Sequence, residues 1–219
     1  YTIGYTDMPM FDETAYARKV AAFHQTEHHE IMLDSRAILG SVPEVLASLD
    51  EPFGDSSAVP TYVVSRETGR DVSVALSGDG GDELFAGYRM YQGEAWHSRY
   101  RRIPRFLREK LIEPALLALP NARDNPATER FRRMQKFLRG ARDTFPERFM
   151  AWNEIFPAES KPTLLAEPFR VAEAPAPLLF AAALSALDTD PINRMLYADL
   201  TISLPGDMLW KVDTMSMRH

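Results

Sequence analysis

The fold is decided by residues 77–88, SGDGGDELFAGY, which directly follow residues 71–76, DVSVAL. The alternating, β-branched run 71–76 predicts a strand, and a helix is predicted to begin at Asp82. Between them lies a loop rich in glycines and carboxylates. Glycines let backbone N–H groups converge on phosphate oxygens, and carboxylates tolerate a phosphate when a cation such as Mg²⁺ lies between them. The loop therefore predicts a metal–pyrophosphate site in which Asp79 and Asp82 share one cation. The alternative is an acidic turn that begins a helix.

Strand and helix signals alternate before this loop. Strands are predicted at 1–5 and 27–33, and helices at 13–24, 35–49 (with Pro43 inside) and from Pro60 to Gly69. Beyond about residue 91 the strand signal ends, and helices are predicted near 104–119, 127–139, 145–156, 176–187 and 191–203. We expect an α/β fold with a partial parallel sheet, an α/β part over 1–97 and a helical part over 98–219.

Composition excludes several classes of protein. The chain has 219 residues, 45% of them hydrophobic, a net charge of −6 and no cysteine, so disulfides and thiolate metal sites are excluded. The five histidines do not form a zinc pattern. The apolar run 174–187 is too short and too rich in proline to cross a bilayer. The basic segment 99–110 is interpreted as a solvated helix face rather than a nucleic-acid site. We expect a cytoplasmic protein that binds neither membrane nor nucleic acid.

Two further segments carry polar groups that suit a charged substrate. Lys211 can neutralise charge on a transferring phosphoryl group, or it can pair with Asp213 or Asp207 on a surface. The run Asp55-Ser56-Ser57 can contact substrate, or it can cap the helix that follows. The residues alone leave both choices open.

Four blocks of this sequence resemble the asparagine synthetase (glutamine-hydrolysing) family, in its ATP-using synthetase domain. They come in the family's order and span nearly the whole chain. The blocks are YTIGY (1–5), LDEPFGDSSAVPTY (49–62), SGDGGDELFAGY (77–88) and LPGDMLWKVDTMSM (204–217). The stretch from about 98 to 195 is far less distinctive.

The resemblance implies a fold of the adenine-nucleotide α-hydrolase (ATP pyrophosphatase) type, with ATP and Mg²⁺ bound. Asp82 matches the family's ligand for Mg²⁺-pyrophosphate, and Asp79 stands where many members have glutamate. Catalytic roles are expected for Asp79, Lys211 and Asp213. Nucleotide contacts are expected at Ile3, Gly4, Ser77, Gly78, Gly80 and Gly81, and substrate contacts at Asp55, Ser56 and Tyr88. Plain core packing is the alternative for Ile3, Gly4 and Tyr88.

The implied reaction is an amidation. ATP adenylates a carboxylate, aspartate in the first instance, and ammonia from a glutaminase domain of the same parent chain then releases AMP. The resemblance also allows a homodimer. Two rivals remain: a related enzyme acting on another carboxylate in polysaccharide or peptide assembly, and a non-catalytic fragment.

Two family features are missing from this sequence. It contains no Ser-Gly-Gly-x-Asp-Ser loop, which the family uses to grip pyrophosphate, and no glutaminase domain with its cysteine nucleophile. We therefore expect an internal piece of a longer protein. By itself this piece should have little activity and bind ATP weakly.

Overall fold

The computed structural model describes residues 1–120, 126–154, 156, 160–170 and 175–219, and in them the chain is mostly helical with a small parallel sheet. Strand β1 (Thr2–Tyr5) pairs with β2 (Glu30–Leu33), with Thr2 opposite Glu30 and Tyr5 opposite Leu33. Parallel strands need a crossover, and helix α1 (Thr14–His24) provides it. The predicted α/β character with a parallel sheet is thus confirmed.

Helices account for most of the remaining described chain. In order they are α2 (Ser35–Leu46), α3 (Ala58–Thr68), α4 (Gly81–Phe85), α5 (Arg89–Tyr100), α6 (Arg105–Leu107), a π-helical turn (Arg108–Ile112), α7 (Glu113–Leu117), α8 (Pro126–Gly140), α9 (Phe145–Asn153), α10 (Lys161–Leu164), a 3₁₀ turn (Glu167–Phe169), α11 (Pro175–Ser185), α12 (Pro191–Ala198), a π-helical segment (Asp199–Leu209) and α13 (Trp210–Ser216). All helices predicted beyond residue 100 are found, although several are broken into shorter pieces. No described helix has both the length and the apolar character that a bilayer crossing requires.

The predicted strand over 71–76 is wrong. This segment forms no ladder with β1 or β2, and its apolar side chains face solvent: Val74 is 81% exposed and Leu76 98% exposed. A strand needs a paired neighbour to satisfy its backbone groups, and the described chain provides none here. The β-branched pattern therefore did not predict the structure of this segment.

Helix α2 is continuous through Pro43, so the proline does not split it. The Asp34 carboxylate caps this helix by accepting the N–H of Ala37 at 2.7 Å. This cap begins α2 directly after β2 ends.

Contacts within the chain define two compact units. The first unit comprises 1–79 and 205–219, and its core contains Leu33, Val63 and Met215. The second unit comprises 80–204, with a core around Phe149 and Met195. The predicted parts, 1–97 and 98–219, follow the change in sequence character rather than contacts, and that division stays a prediction.

Candidate active site

Lys211 is a buried lysine held by a fixed set of partners. It lies on α13 with only 5% of its surface exposed. Its Nζ donates to Asp55 Oδ2 at 2.7 Å and to Ser57 Oγ at 2.6 Å. The same atom lies 3.3 Å from Met208 Sδ. Lys211 is therefore not the surface lysine that one interpretation of the sequence allowed.

The loop before α3 fixes Asp55 by local hydrogen bonds. Ser57 donates its backbone N–H to Asp55 Oδ1 at 2.9 Å and its hydroxyl to Asp55 Oδ2 at 2.5 Å. Burial would raise the pKa of the Asp55 carboxyl, but the hydrogen bonds from Lys211 and Ser57 outweigh burial and hold that pKa below its ordinary value. The result is a charged carboxylate with a defined orientation.

Asp207 is a second acid near this pair. Its Oδ1 is buried and has no hydrogen-bond partner among the residues described. Burial, and then repulsion by Asp55, raise the pKa of the Asp207 carboxyl, while Lys211 opposes the shift. The sequence suggested Asp207 as a possible partner of Lys211, but the structure pairs Lys211 with Asp55 instead.

The acidic loop is exposed where it leaves the first unit. Ser77, Gly78 and Asp79 all face solvent, and no described atom lies within 4 Å of the position that a Cβ on Gly78 would take. Gly80 has a φ of 90°, a conformation that favours glycine, and it precedes Gly81 at the start of α4. The open backbone leaves room for a ligand against 77–79.

Asp82 projects from the short helix α4, and its carboxylate is positioned by the turn that follows. Ala86 adopts a left-handed φ of 56°, and Gly87 donates its N–H to the Asp82 carbonyl at 3.0 Å. The Asp82 carboxylate lies in the space that a Cβ at residue 87 would need. The side chain is exposed, and it has no hydrogen bond or ion pair within the described ranges.

Two sets of side-chain hydrogen bonds in the second unit were missed by sequence reasoning. Tyr88 donates to Glu83 at 2.6 Å, Tyr91 donates to Asp199 at 2.7 Å, and Ser203 donates to Asp199 at 2.9 Å. Burial is the main reason why the pKa values of Asp199, Tyr88 and Tyr91 are all raised. Tyr88 is thus engaged with Glu83, and its predicted substrate contact stays a prediction. A carboxylate in an apolar helical run carries no signal of its partners, which explains why Asp199 was missed.

The remaining predicted residues are found in separate places. Gly4 is buried, and a Cβ there would come within 2.5 Å of both Thr14 Cγ2 and Met32 Sδ, so close packing of α1 and β2 requires glycine. Ile3 packs against the core of the first unit. Ser56 and Asp213 are exposed. Of the predicted site residues, the structure thus joins Lys211 to Asp55, and their roles stay predictions.

The described residues contain no group of three or more His, Asp or Glu side chains that could enclose a metal ion. This does not conflict with a Mg²⁺ site. Mg²⁺ keeps several waters and is commonly bound by one or two carboxylates together with substrate phosphates. A single free carboxylate such as Asp82 is enough for that mode of binding.

Comparisons with known proteins identify the family of the chain. The family model described as asparagine synthase matches residues 1–219. The chain is 28% identical to asparagine synthetase [glutamine-hydrolyzing] 1 of Bacillus subtilis over 221 aligned positions, which cover 100% of this chain and 33% of that protein. It is 40% identical to the putative asparagine synthetase [glutamine-hydrolyzing] 2 of Methanocaldococcus jannaschii over 98 positions, 45% of this chain and 19% of that protein.

A putative asparagine synthetase [glutamine-hydrolyzing] of Mycobacterium bovis is 29% identical over 213 positions, 95% of this chain and 30% of that protein. The chain thus spans no more than a third of the length of these curated relatives. No solved structure matches it significantly. Because the family model covers the chain from end to end, the chain belongs to the asparagine synthase family.

Proposed function

We propose that this chain is part of an ATP-dependent amidotransferase that adenylates a carboxylate and then amidates it with ammonia released from glutamine. Aspartate is the first acceptor to test, with asparagine, AMP and pyrophosphate as products. Family membership supports the ligase class, and the relatives' names support glutamine and asparagine as the chemistry to examine. A fold of the adenine-nucleotide α-hydrolase type is part of the same proposal.

The observation that carries this proposal is the buried, hydrogen-bonded ammonium of Lys211. A cation in a water-poor site interacts with developing negative charge more strongly than one in water. When an acceptor carboxylate attacks the α-phosphate of ATP, charge accumulates on the departing pyrophosphate. Lys211 is held in one place by Asp55 and Ser57, so it needs little rearrangement to meet that charge.

Asp82 is the residue that the proposal assigns to Mg²⁺. Asp82 offers a free, solvent-facing carboxylate whose position depends on the absence of a side chain at Gly87. When bound, the cation would supply charge neutralisation for the pyrophosphate. Asp79 and the backbone of 77–81 are the proposed contacts to nucleotide and metal, and Asp213 is the proposed further acid.

An acid panel tests the proposal. The full-length protein is incubated with ATP, Mg²⁺, labelled pyrophosphate and one carboxylic acid at a time, and acid-dependent ATP–pyrophosphate exchange is measured. We expect exchange with aspartate, and Lys211→Met should lower it at least about 100-fold, the usual effect of losing one donor to a developing anion. Lys19→Met is the matched control, since Lys19 is an exposed lysine of the same unit.

The panel also separates the rivals. Exchange with another acid and none with aspartate would replace the acceptor but keep the chemistry. If no acid supports exchange, although the protein is folded and still binds ATP in the absence of ammonia and glutamine, the result would favour a non-catalytic binding module. Homodimer formation and a cytoplasmic location belong to the proposal as well and are checked by sedimentation and fractionation.

A further inference from the structure

The charged pair of Asp55 and Lys211 joins residues 156 positions apart, and packing next to it fixes their separation. Phe53, two residues before Asp55, contacts Trp210, one residue before Lys211, with ring centroids 4.8 Å apart. The rings hold the loop before α3 against α13. Both ends of the ion pair therefore stand on parts of the molecule that are already packed together.

Burial makes Lys211 dependent on its partner. Removing an ammonium from water is unfavourable unless a counter-charge and hydrogen bonds compensate for the lost hydration. The titratable groups that face Lys211 are Asp55, from the loop before α3, and Asp207, from the π-helical segment. The hydrogen bond goes to Asp55, whereas the buried oxygen of Asp207 accepts none in the described chain.

The three N–H groups of the Lys211 ammonium have acceptors of different strength. Two point to oxygens, on Asp55 and Ser57, at 2.7 and 2.6 Å. Among the residues that the structure describes, the third has only the sulfur of Met208, at 3.3 Å. A thioether is a weak acceptor, so this third donor is the one that an incoming phosphate oxygen can take with little loss.

We propose that Asp55, oriented by Ser57, is a positioning residue for Lys211. Asp55 keeps the buried ammonium charged and takes one of its N–H groups. The N–H that points to the weak acceptor Met208 can then donate to a substrate oxygen instead. This inference rests on the proposed function. It differs from the expectation that Asp55 contacts the substrate itself. Asp55 then acts through Lys211, and its loss should change the protonation of Lys211 rather than the affinity for the acceptor acid.

The test compares Asp55→Asn with Asp55→Glu in the full-length protein. In Asp55→Asn the buried ammonium loses its hydrogen-bonded counter-charge, leaving only Asp207, which accepts no hydrogen bond from it among the described residues, and it gives up its proton more readily. Since the charged lysine is the active form, the alkaline limb of the kcat profile should move to lower pH by about one unit or more, with KM for the acceptor changed less than about 3-fold. Asp55→Glu should restore the wild-type limb, and Glu27→Gln, which removes an exposed acid of the same unit, should leave the profile unchanged.

A second measurement does not depend on turnover. Competitive labelling with acetic anhydride over a range of pH, followed by peptide mass spectrometry, reports the protonation of Lys211 directly. In Asp55→Asn the labelling of Lys211 should begin at lower pH than in wild type, while that of Lys19 should not move. A shift in labelling without any acid-dependent exchange would leave this inference standing and defeat the proposed function.

Two results would overturn the inference. One is an unchanged pH profile and unchanged labelling in Asp55→Asn, together with a raised KM for the acceptor, since Asp55 would then contact substrate. The other is an equal loss of activity at every pH in both Asp55→Asn and Asp55→Glu with labelling unchanged, since Asp55 would then serve only the structure of its loop.

Discussion

Gly87 leaves the space in which the side chain of Asp82, the proposed metal ligand, lies. The carboxylate of Asp82 occupies the space that any side chain at residue 87 would fill, and the backbone of Gly87 is not in a conformation that requires glycine. The three atoms nearest to an added Cβ all belong to Asp82, so contact with Asp82 opposes an alanine at this position. A methyl group there must move either the carboxylate or the turn that begins at Ala86.

Gly87→Ala should therefore weaken metal use more than it weakens folding. We expect the Mg²⁺ concentration for half-maximal activity to rise about 10-fold, the usual effect of disturbing a group that orients a metal ligand. Mn²⁺ binding in the presence of ATP, followed by electron paramagnetic resonance, should weaken in parallel. Gly40→Ala is the control, because no described atom lies within 4 Å of its Cβ position. Unchanged Mn²⁺ binding in Gly87→Ala would remove Asp82 as the proposed ligand.

Sequence indicated Lys211 and Asp55 as separate candidates but could not pair them. Hydrogen-bond partners 156 positions apart are set by how the loop before α3 packs on α13, and no local pattern encodes that. The same holds for the unpartnered oxygen of Asp207 and for the buried Asp199. Residue types were predictable, whereas their partners were not.

Among the helices, α8 and α9 meet through Trp152. Its indole N–H donates to the carbonyl of Phe137 at 3.4 Å, and its ring fills the space next to the α-carbon of Gly140. The same ring lies 3.5 Å from where a Cβ on Gly93 would be, an ordinary contact distance. Two glycines thus border one aromatic side chain, one with room for a methyl group and one without.

These glycines form a matched pair of variants. Gly140→Ala forces Trp152 out of its place, and overpacking of this kind lowers the free energy of unfolding by about 1–3 kcal/mol. Gly93→Ala adds a better helix former inside α5 without a clash and should be neutral or stabilising by up to about 1 kcal/mol. Urea unfolding of both proteins measures the difference. Equal effects of the two substitutions would contradict this description of the α8–α9 contact.

The success of prediction also differed between kinds of element. Helices were found because caps, prolines and 3.6-residue periodicity are local signals. The strand over 71–76 failed because pairing is non-local and the described residues offer it no neighbour. The two parallel strands were found because α1 lies between them in sequence and gives the crossover signal.

At the scale of the whole molecule, the two compact units have separate cores and can respond differently to acid. Trp96 and Trp152 belong to the second unit, 80–204, which is called the helical unit below, and Trp210 belongs to the first. In Trp210→Phe, therefore, tryptophan fluorescence reports only the helical unit. In that unit His97 is 6% exposed, and its Nε2 has no partner among the described residues. Burial, and then the nearby Arg148, lower the pKa of His97 below its ordinary value.

Whether stability rises or falls with pH depends on whether the folded or the unfolded state binds the proton of His97 more readily. A lowered pKa means that the folded helical unit takes up a proton less readily than the unfolded chain, so stability falls as pH decreases below about 6.5. The hydrogen bonds from Arg132 and Arg133 lower the pKa of Glu129 to about 2, so the stability that Glu129 contributes is lost only in stronger acid. Asp199, whose pKa is raised, changes stability in the opposite direction. Between pH 7 and pH 5, therefore, His97 should dominate the decline in this unit.

Unfolding of the Trp210→Phe protein by urea at a series of pH values tests this. Stability should decrease from pH 7 to pH 5 with a slope of up to about 1.4 kcal/mol per pH unit, the limit for one proton. His97→Phe removes the titrating ring and its unpartnered nitrogen and should flatten this part of the curve. His219 has a lowered pKa too, but it belongs to the first unit, which this tryptophan signal does not report. A decline that persists unchanged in His97→Phe would mean that carboxylates, not this histidine, make the helical unit sensitive to mild acid.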